Sequence, residues 1–401
     1  MNTNNSAIKN QHFTLQLASV CLVVLTILNI VWPIREINAQ DSNRRYTATL
    51  SFNEVAPGIE HGQVATGSSE EPVRINVLRV DLRRARLKVA HALDQGLGLE
   101  TVSSLAARHG ANAAINGGYF RLTGTYRGES TGFLLIDGKL ISEPFNHRAT
   151  VGFVNEGPAT NVIFGHLKYD GNIFVGRARH LIHGVNRPVV ADEMIAFTPE
   201  FHRTTLTNPQ GVEVIVRRNV VIAVRDLNGS SEIPADGFVI SAVGKARDWI
   251  KRNVRRGSRL RFTWNVTPTE MDQTAEWQRA YSILGAGPQI IKSGKIAITH
   301  VQERMPESFA TERHPRTAVG KTADGLLLMV TVDGRQPKIS VGMSLYSLAN
   351  LLLELSAVEA INLDGGGSTT MVVNDRVVNS PSDQTGERPV GDAILVFSRL
   401  K

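Results

Sequence analysis

Leu348-Ala-Asn-Leu-Leu-Leu-Glu-Leu-Ser-Ala-Val-Glu-Ala-Ile-Asn-Leu-Asp-Gly-Gly-Gly-Ser368 holds three kinds of structure in succession. Leucines 345, 348, 351, 352 and 355 fall on one face of a helix predicted over 343–355. A short apolar strand follows, ending in Ala-Ile-Asn362, and at its exit stand a carboxylate and three glycines. The same order occurs earlier in Leu105-Ala-Ala-Arg-His-Gly-Ala-Asn-Ala-Ala-Ile-Asn-Gly-Gly-Tyr-Phe120. There the helix is predicted over 101–109, with Thr101 or Glu100 near its start and Gly110 as its C-cap. A strand over 113–116 follows. Glycine clusters at strand ends let the backbone turn sharply and approach a ligand closely. Two such exits, carrying Asn116 and Asp364, predict two walls of one polar site.

Working outward, the chain is dominated by strand signals. Segments 46–52, 73–82 and 87–93 alternate as strands do, the last two reading as a hairpin through 83–86. Pro57-Gly58 closes the first. Turn pairs recur at Asp137-Gly138, Asp170-Gly171, Asn228-Gly229, Ser293-Gly294, Asp324-Gly325 and Asn374-Asp375, each suited to a hairpin. A further short helix is predicted over 244–255. Few helices among many strands predict an α+β or mixed α/β fold: a strand-rich single domain with mixed sheets and a few packing helices. No Pro- or Ser-rich linker divides it, so one domain is expected over 43–401.

Composition supports a globular chain, with 42% hydrophobic and 20% charged residues over a length of 401. The net charge of +7 suits an anionic polymer or a phosphate-bearing substrate. The basic residues are dispersed, which argues against nucleic acid; Arg83-Arg84-Ala-Arg86 and Arg252-Asn-Val-Arg255-Arg256 read as solvated edges. Lys9 and His12 precede an apolar run over 17–32, and Ile37-Asn-Ala39 offers a small-residue cleavage site. Residues 1–39 therefore read as a signal peptide or a signal anchor. Export to a periplasmic or extracellular location follows, with membrane contact only through this segment where it stays uncleaved. The only cysteine, Cys21, lies inside it, so disulfides, thiolate nucleophiles and cysteine-based zinc sites are excluded from the remainder.

Four constellations can carry chemistry. Asp364-Gly365-Gly366-Gly367-Ser368-Thr369 sets a carboxylate beside amides and hydroxyls suited to an anion. It lacks the lysine of a nucleotide-binding loop. Asn116-Gly117-Gly118-Tyr119-Phe120 offers an amide and aromatic rings for a sugar. His314-Pro-Arg316-Thr317 and Asp333-Gly-Arg335 sit at one end of a predicted hairpin, placing two guanidiniums where a phosphodiester could be held in bidentate fashion. Gly285-Ala-Gly287-Pro288 is a further turn before a strand. The histidines do not fall at metal-ligand spacing, and no Gly-x-Ser-x-Gly elbow is present. No cofactor is predicted, and a divalent metal is left open.

These motifs, with Ser340-Val-Gly-Met-Ser344, occur in an order that resembles the phosphodiester glycosidase family of the uncovering-enzyme type. The likeness runs from about residue 45 to the C-terminus. It implies a mixed α/β catalytic domain and hydrolysis of a sugar-1-phosphodiester in an envelope or extracellular phosphoglycan. Within that reading Asp364 is the first choice as acid/base or nucleophile, with Asp333 or Glu129 second. Arg316, the 365–367 amides and Ser368 are expected to hold phosphate, and Asn116 and Tyr119 to orient the sugar. Two alternatives share these residues: a non-catalytic binder of phosphorylated polysaccharide, and a metal-dependent phosphodiesterase using Asp333 and Asp364 as ligands.

Overall fold

In the computed structural model, which describes residues 46–157, 159–270 and 274–399, the two echoed segments end on different sheets that face one another. Strand Ala357–Asn362 lies in an eight-stranded sheet between Arg316–Thr322 and Gln289–Lys292. Strand Ala113–Asn116 lies in a five-stranded sheet between Met371–Val373 and Asp392–Ser398. Alternation along each strand explains the stacking. Leu78, Val319, Met329 and Ile361 of the first sheet meet Val89, Ile115, Met371 and Ile394 of the second in one core.

The outer faces carry the helices. Leu345–Glu354 is capped by Ser344, whose hydroxyl accepts from the Ser347 N–H. It buries Leu345, Leu348, Leu351 and Leu352 against Val77, Leu328 and Val330. Val102–His109 is capped by Thr101 and ended by left-handed Gly110. It buries Leu105 and Ala106 against Ala114, Val372 and Leu395. A seven-stranded sheet that includes Leu134–Ile136, Ala149–Glu156 and Ser282–Gly285 extends the core, and a five-stranded sheet built largely from 184–242 has its own apolar centre.

The molecule is more β than expected. Strands make up 46% and helices 13%, so the helices are packing elements on a mostly β scaffold rather than half of an α/β alternation. The expected mixed sheets are almost wholly antiparallel: among the described strands only the short pair Gly184–Val185 and Met194–Phe197 runs parallel.

Several local expectations also fail. Pro72–Asp81 and Ala85–His91 form no hairpin with each other; the first joins the eight-stranded sheet and the second the five-stranded one. The turn between them is a corner, and Val80 and Leu87 then face each other across the core instead of side by side. Asp170-Gly171 is no turn but lies within the strand Ala159–Val175, because Leu260–Pro268 pairs straight across it. The strand expected over 46–52 begins only at Phe52. The hairpins at 137–138, 293–294, 324–325 and 374–375 stand, with Asp137-Gly138 and Ser293-Gly294 both at positive φ. Asn228-Gly229, by contrast, lies in a loop between Val220–Asp226 and Gly237–Ala242, which each pair with Val212–Arg217 instead of with each other. Described residues from 46 onward belong to one compact unit, Arg45–Lys401, and no helix among them is long and apolar enough to cross a membrane. The N-terminal signal or anchor expectation falls outside the described residues.

Candidate active site

Because the two sheets face each other, their glycine-bearing exits emerge side by side, and each asparagine fastens onto the other exit. Asn116 Nδ2 donates to the Asp364 carbonyl at 2.7 Å, while its Oδ1 accepts from Thr317 Oγ1 at 2.8 Å and the Thr370 N–H at 3.1 Å. Asn362 Nδ2 donates to the Gly287 carbonyl and to Tyr119 Oη, both at 3.1 Å. The Tyr119 hydroxyl donates to the same Gly287 carbonyl at 2.8 Å. Between the exits, the Asp364 N–H bonds the Gly117 carbonyl at 3.1 Å. Fully buried, Asn116 and Thr317 are therefore staples, not ligand contacts. That corrects the expected sugar-orienting role of Asn116. Tyr119 is likewise occupied, its hydroxyl by Gly287 and its ring by the Arg148 guanidinium at 4.5 Å.

Asp364, Arg316 and Arg335 converge on a hollow of about 260 Å³ that is also lined by Phe309, His314 and Arg388. Arg316 begins its strand and points back from the sheet end. Its Nε donates to the Met343 carbonyl at 3.0 Å, and its Nη2 to those of Phe309 and Glu312 at 2.7 and 2.8 Å. Nη1 makes none of these bonds, and among the described residues no carboxylate pairs with this guanidinium, although Arg316 is only 2% exposed. Burial pulls its pKa down to about 10, with Arg335 adding to the effect. A buried cation held by carbonyls and lacking a counter-ion is poised for an external anion.

The triple glycine is explained by what lies against it. A Cβ at Gly365 would sit 2.7 Å from the Pro315 carbonyl, one at Gly366 3.0 Å from Arg335 Nη1, and one at Gly367 would collide with the Arg388 guanidinium. Gly366 also has φ 61°. The glycines thus admit two guanidiniums against the loop backbone. Their amides are less available than the sequence suggested. Gly365 N–H bonds Asp364 Oδ1 at 2.9 Å and Gly366 N–H bonds the Pro315 carbonyl at 3.0 Å, leaving that of Gly367 outside these bonds. The Thr369 hydroxyl is buried and unpartnered, and the Ser368 hydroxyl is buried beside the Asp364 carboxyl. The anion site is consequently made chiefly of arginine, not of loop amides.

Asp364 is pushed up to about 6 by burial, offset in part by the Ser368 hydroxyl, the Gly365 amide and the Arg388 and Arg148 charges. The other expected carboxylates stand elsewhere. Asp333 turns away from the hollow: its Oδ1 accepts from Asn379 Nδ2 at 3.0 Å and the Ser380 N–H at 2.9 Å. Glu129 pairs with Arg121 Nε at 2.9 Å and does not line the hollow. Asp333 and Asp364 therefore do not share a metal-ligand set, and among the described residues no three His, Cys, Asp or Glu side chains cluster as one.

Sequence reading missed two groups. Arg388 reaches the hollow from a loop and is held by Asp383 at 2.6 Å; only a lone Gly-Glu-Arg-Pro marks it in the sequence. Asp392, at the start of its strand and 1% exposed, accepts from the Gly118 N–H at 2.7 Å through Oδ1, while its Oδ2 has no partner. Gly117 lacks a side chain where this carboxyl lies, since a Cβ there would overlap Oδ1. Burial, with the Asp364 charge adding to it, raises Asp392 to about 7 against the bond from Gly118. Its neutral form is favoured in the fold. It therefore contributes stability that is complete below about pH 4, the carboxyl's ordinary range, and lost as pH rises through about 7. Denaturant melts should show stability declining from about pH 4 to 7 and levelling off above that, by on the order of a few kcal/mol at most. Asp392→Asn should flatten that decline, and an unchanged slope would show that Asp392 does not titrate there.

Among the described residues Arg335 makes no hydrogen bond or ion pair, so its removal isolates ligand binding from stability. Arg335→Gln should raise KM about tenfold at unchanged melting temperature. A large stability loss without a KM change would assign it a structural role.

Comparisons with known proteins bear on this geometry. A family model described as phosphodiester glycosidase matches residues 210–397, which carry Arg316, Arg335, Asp364 and the glycine loop. The SPbeta prophage-derived uncharacterized protein YomE of Bacillus subtilis is 39% identical over 84 residues, 21% of this chain and 13% of that protein. N-acetylglucosamine-1-phosphodiester alpha-N-acetylglucosaminidase of Bos taurus is 38% identical over 103 residues, 23% of this chain and 19% of the enzyme. The chain thus spans less than a fifth of either curated relative. A hypothetical protein from Synechocystis shares the fold, with a TM-score of 0.74 at 24% identity, covering 87% of this chain and 64% of that one. Residues 210–397 thus carry a domain that matches the phosphodiester glycosidase family.

Proposed function

We propose that this protein hydrolyses a sugar-1-phosphodiester linkage in an envelope or extracellular phosphoglycan, the apolar N-terminal segment serving its export. One observation carries the reading: a buried arginine without a counter-ion, a second unpaired arginine and a carboxyl of raised pKa share one hollow. The bovine relative's name describes an enzyme acting on an N-acetylglucosamine-1-phosphodiester, which agrees in chemical class.

In this mechanism Arg316 Nη1, Arg335 and Arg388 take the phosphate oxygens and stabilise the charge that gathers there as the sugar–oxygen bond breaks. The departing phosphomonoester is a good leaving group, so a strong acid on that side is dispensable. Asp364 in its ionised form acts on the C1 side, either attacking the sugar carbon or drawing the proton from the attacking water. In the base route, water oxygen joins C1, the C1–O bond to phosphate breaks and the water proton passes to Asp364. In the nucleophile route, the C1–O bond to phosphate is replaced by a C1–Asp364 ester that water then cleaves, its proton leaving to solvent. The test is incubation with a sugar-1-(4-nitrophenyl phosphate) in heavy-oxygen water, with products read by mass spectrometry. The label is expected in the sugar. Label in the phosphate would make the protein a phosphodiesterase, and binding without product a phosphoglycan-binding module.

A further inference from the structure

A cleft of about 690 Å³ lies apart from the arginine hollow and has no part in the chemistry described above. It is nevertheless joined to it. Phe309 of the hollow meets the Tyr119 ring edge-on, with centroids 6.5 Å apart. The Arg148 guanidinium lies 4.5 Å from the Tyr119 centroid and 5.3 Å from that of Phe145, and Phe145 lines the cleft. Every member of this ladder is at least partly exposed, so a surface of rings and guanidinium runs from one site to the other.

The cleft has its own charge pattern. Arg121, Lys168, Arg187 and Arg304 line it against only Glu143 and Glu193. Both carboxylates are spent on Arg187, at 2.5 and 2.7 Å. Lys168 and Arg304 have no carboxylate partner among the described residues. The Tyr169 hydroxyl is buried at the wall with nothing to bond. Phe145 is 44% exposed, on a loop where Asn146 and His147 both hold positive φ, as does Arg304 across the cleft. Strained non-glycine backbone of this kind gathers at binding sites. An exposed ring, unpaired cations and an unsatisfied hydroxyl are the donor set for a hydroxyl-rich anion.

Resting on the phosphodiesterolytic reading of the hollow, we propose that this cleft binds the anionic glycan chain on which the scissile phosphodiester is carried. The ring-and-guanidinium ladder leads that chain into the hollow. The enzyme would then select polymer over small diester through the cleft, and cut both through the hollow.

Affinity electrophoresis in gels holding phosphomannan, neutral mannan or polyphosphate tests this, because it reads binding without turnover. Wild type should be retarded by phosphomannan and much less by the other two. Phe145→Ala and Lys168→Glu, both at exposed positions, should each weaken that retardation about tenfold. Both variants should turn over the small sugar-1-(4-nitrophenyl phosphate) as wild type does. Unchanged retardation in the variants, no retardation of wild type, or equal retardation by polyphosphate would overturn the proposal. Retardation lost in the variants of a protein that cleaves no diester would sink the hydrolase reading and leave the cleft standing.

Discussion

Asp364→Asn should lower kcat on a sugar-1-phosphodiester by about 10³-fold or more while leaving the melting temperature unchanged or slightly raised. The asymmetry follows from the side chain's surroundings. Its bond from the Gly365 N–H is to an oxygen that asparagine retains. Its charge, by contrast, is held against burial, which is why its pKa stands at about 6. Replacing it removes an unfavourable buried charge and the only carboxyl among the described residues that lines the hollow. Because the ionised form does the work, wild-type kcat/KM should fall as pH drops through about 6 and level off above it. Near-normal turnover in the variant would remove Asp364 from the chemistry, and a rate that instead falls above pH 6 would make it the acid.

Arg316→Met should fail on two counts. Loss of Nη1 should lower kcat/KM by about 10²-fold, the usual effect of removing one charged donor from a developing anion. The three carbonyls of Met343, Phe309 and Glu312 lose their donor, each worth about 1–3 kcal/mol when left unsatisfied and buried. Arg316→Lys separates charge from shape: the ammonium keeps the charge but cannot serve three carbonyls and a ligand together. We expect it to recover some stability and little activity. Full recovery of kcat/KM in the lysine variant would show that position, not the fork, is what matters. Activity is to be measured well below the melting temperature of each variant, so that unfolding is not mistaken for lost catalysis.

Much of the site was legible because its signals are local. Thr101 and Gly110, Ser344 and the leucine stripe fix two helices by capping and periodicity. The glycines after Asn116 and Asp364 mark where two strands end. Pairing partners are not written locally. Whether 83–86 closes a hairpin or turns a corner depends on Leu326–Val332 and Asp392–Ser398, both more than two hundred positions away. The same distance hid Asp392 and Arg388, which have no motif and gain meaning only where Gly117 and Gly367 make room for them. Asn116 misled for a related reason. An amide at a strand exit looks like a ligand contact until three bonds from distant residues are seen to consume it. Asp333 likewise shares a motif with Arg335 but points the other way, to the Asn379–Ser380 backbone and side chain.

A crystal structure with a non-cleavable sugar-1-phosphonate bound tests the whole account most directly. It should place the phosphonate oxygens within hydrogen-bond reach of Arg316 Nη1 and Arg335, with the sugar C1 facing the Asp364 carboxyl. A phosphonate seated away from these arginines, with Asp364 remote from C1, would contradict it.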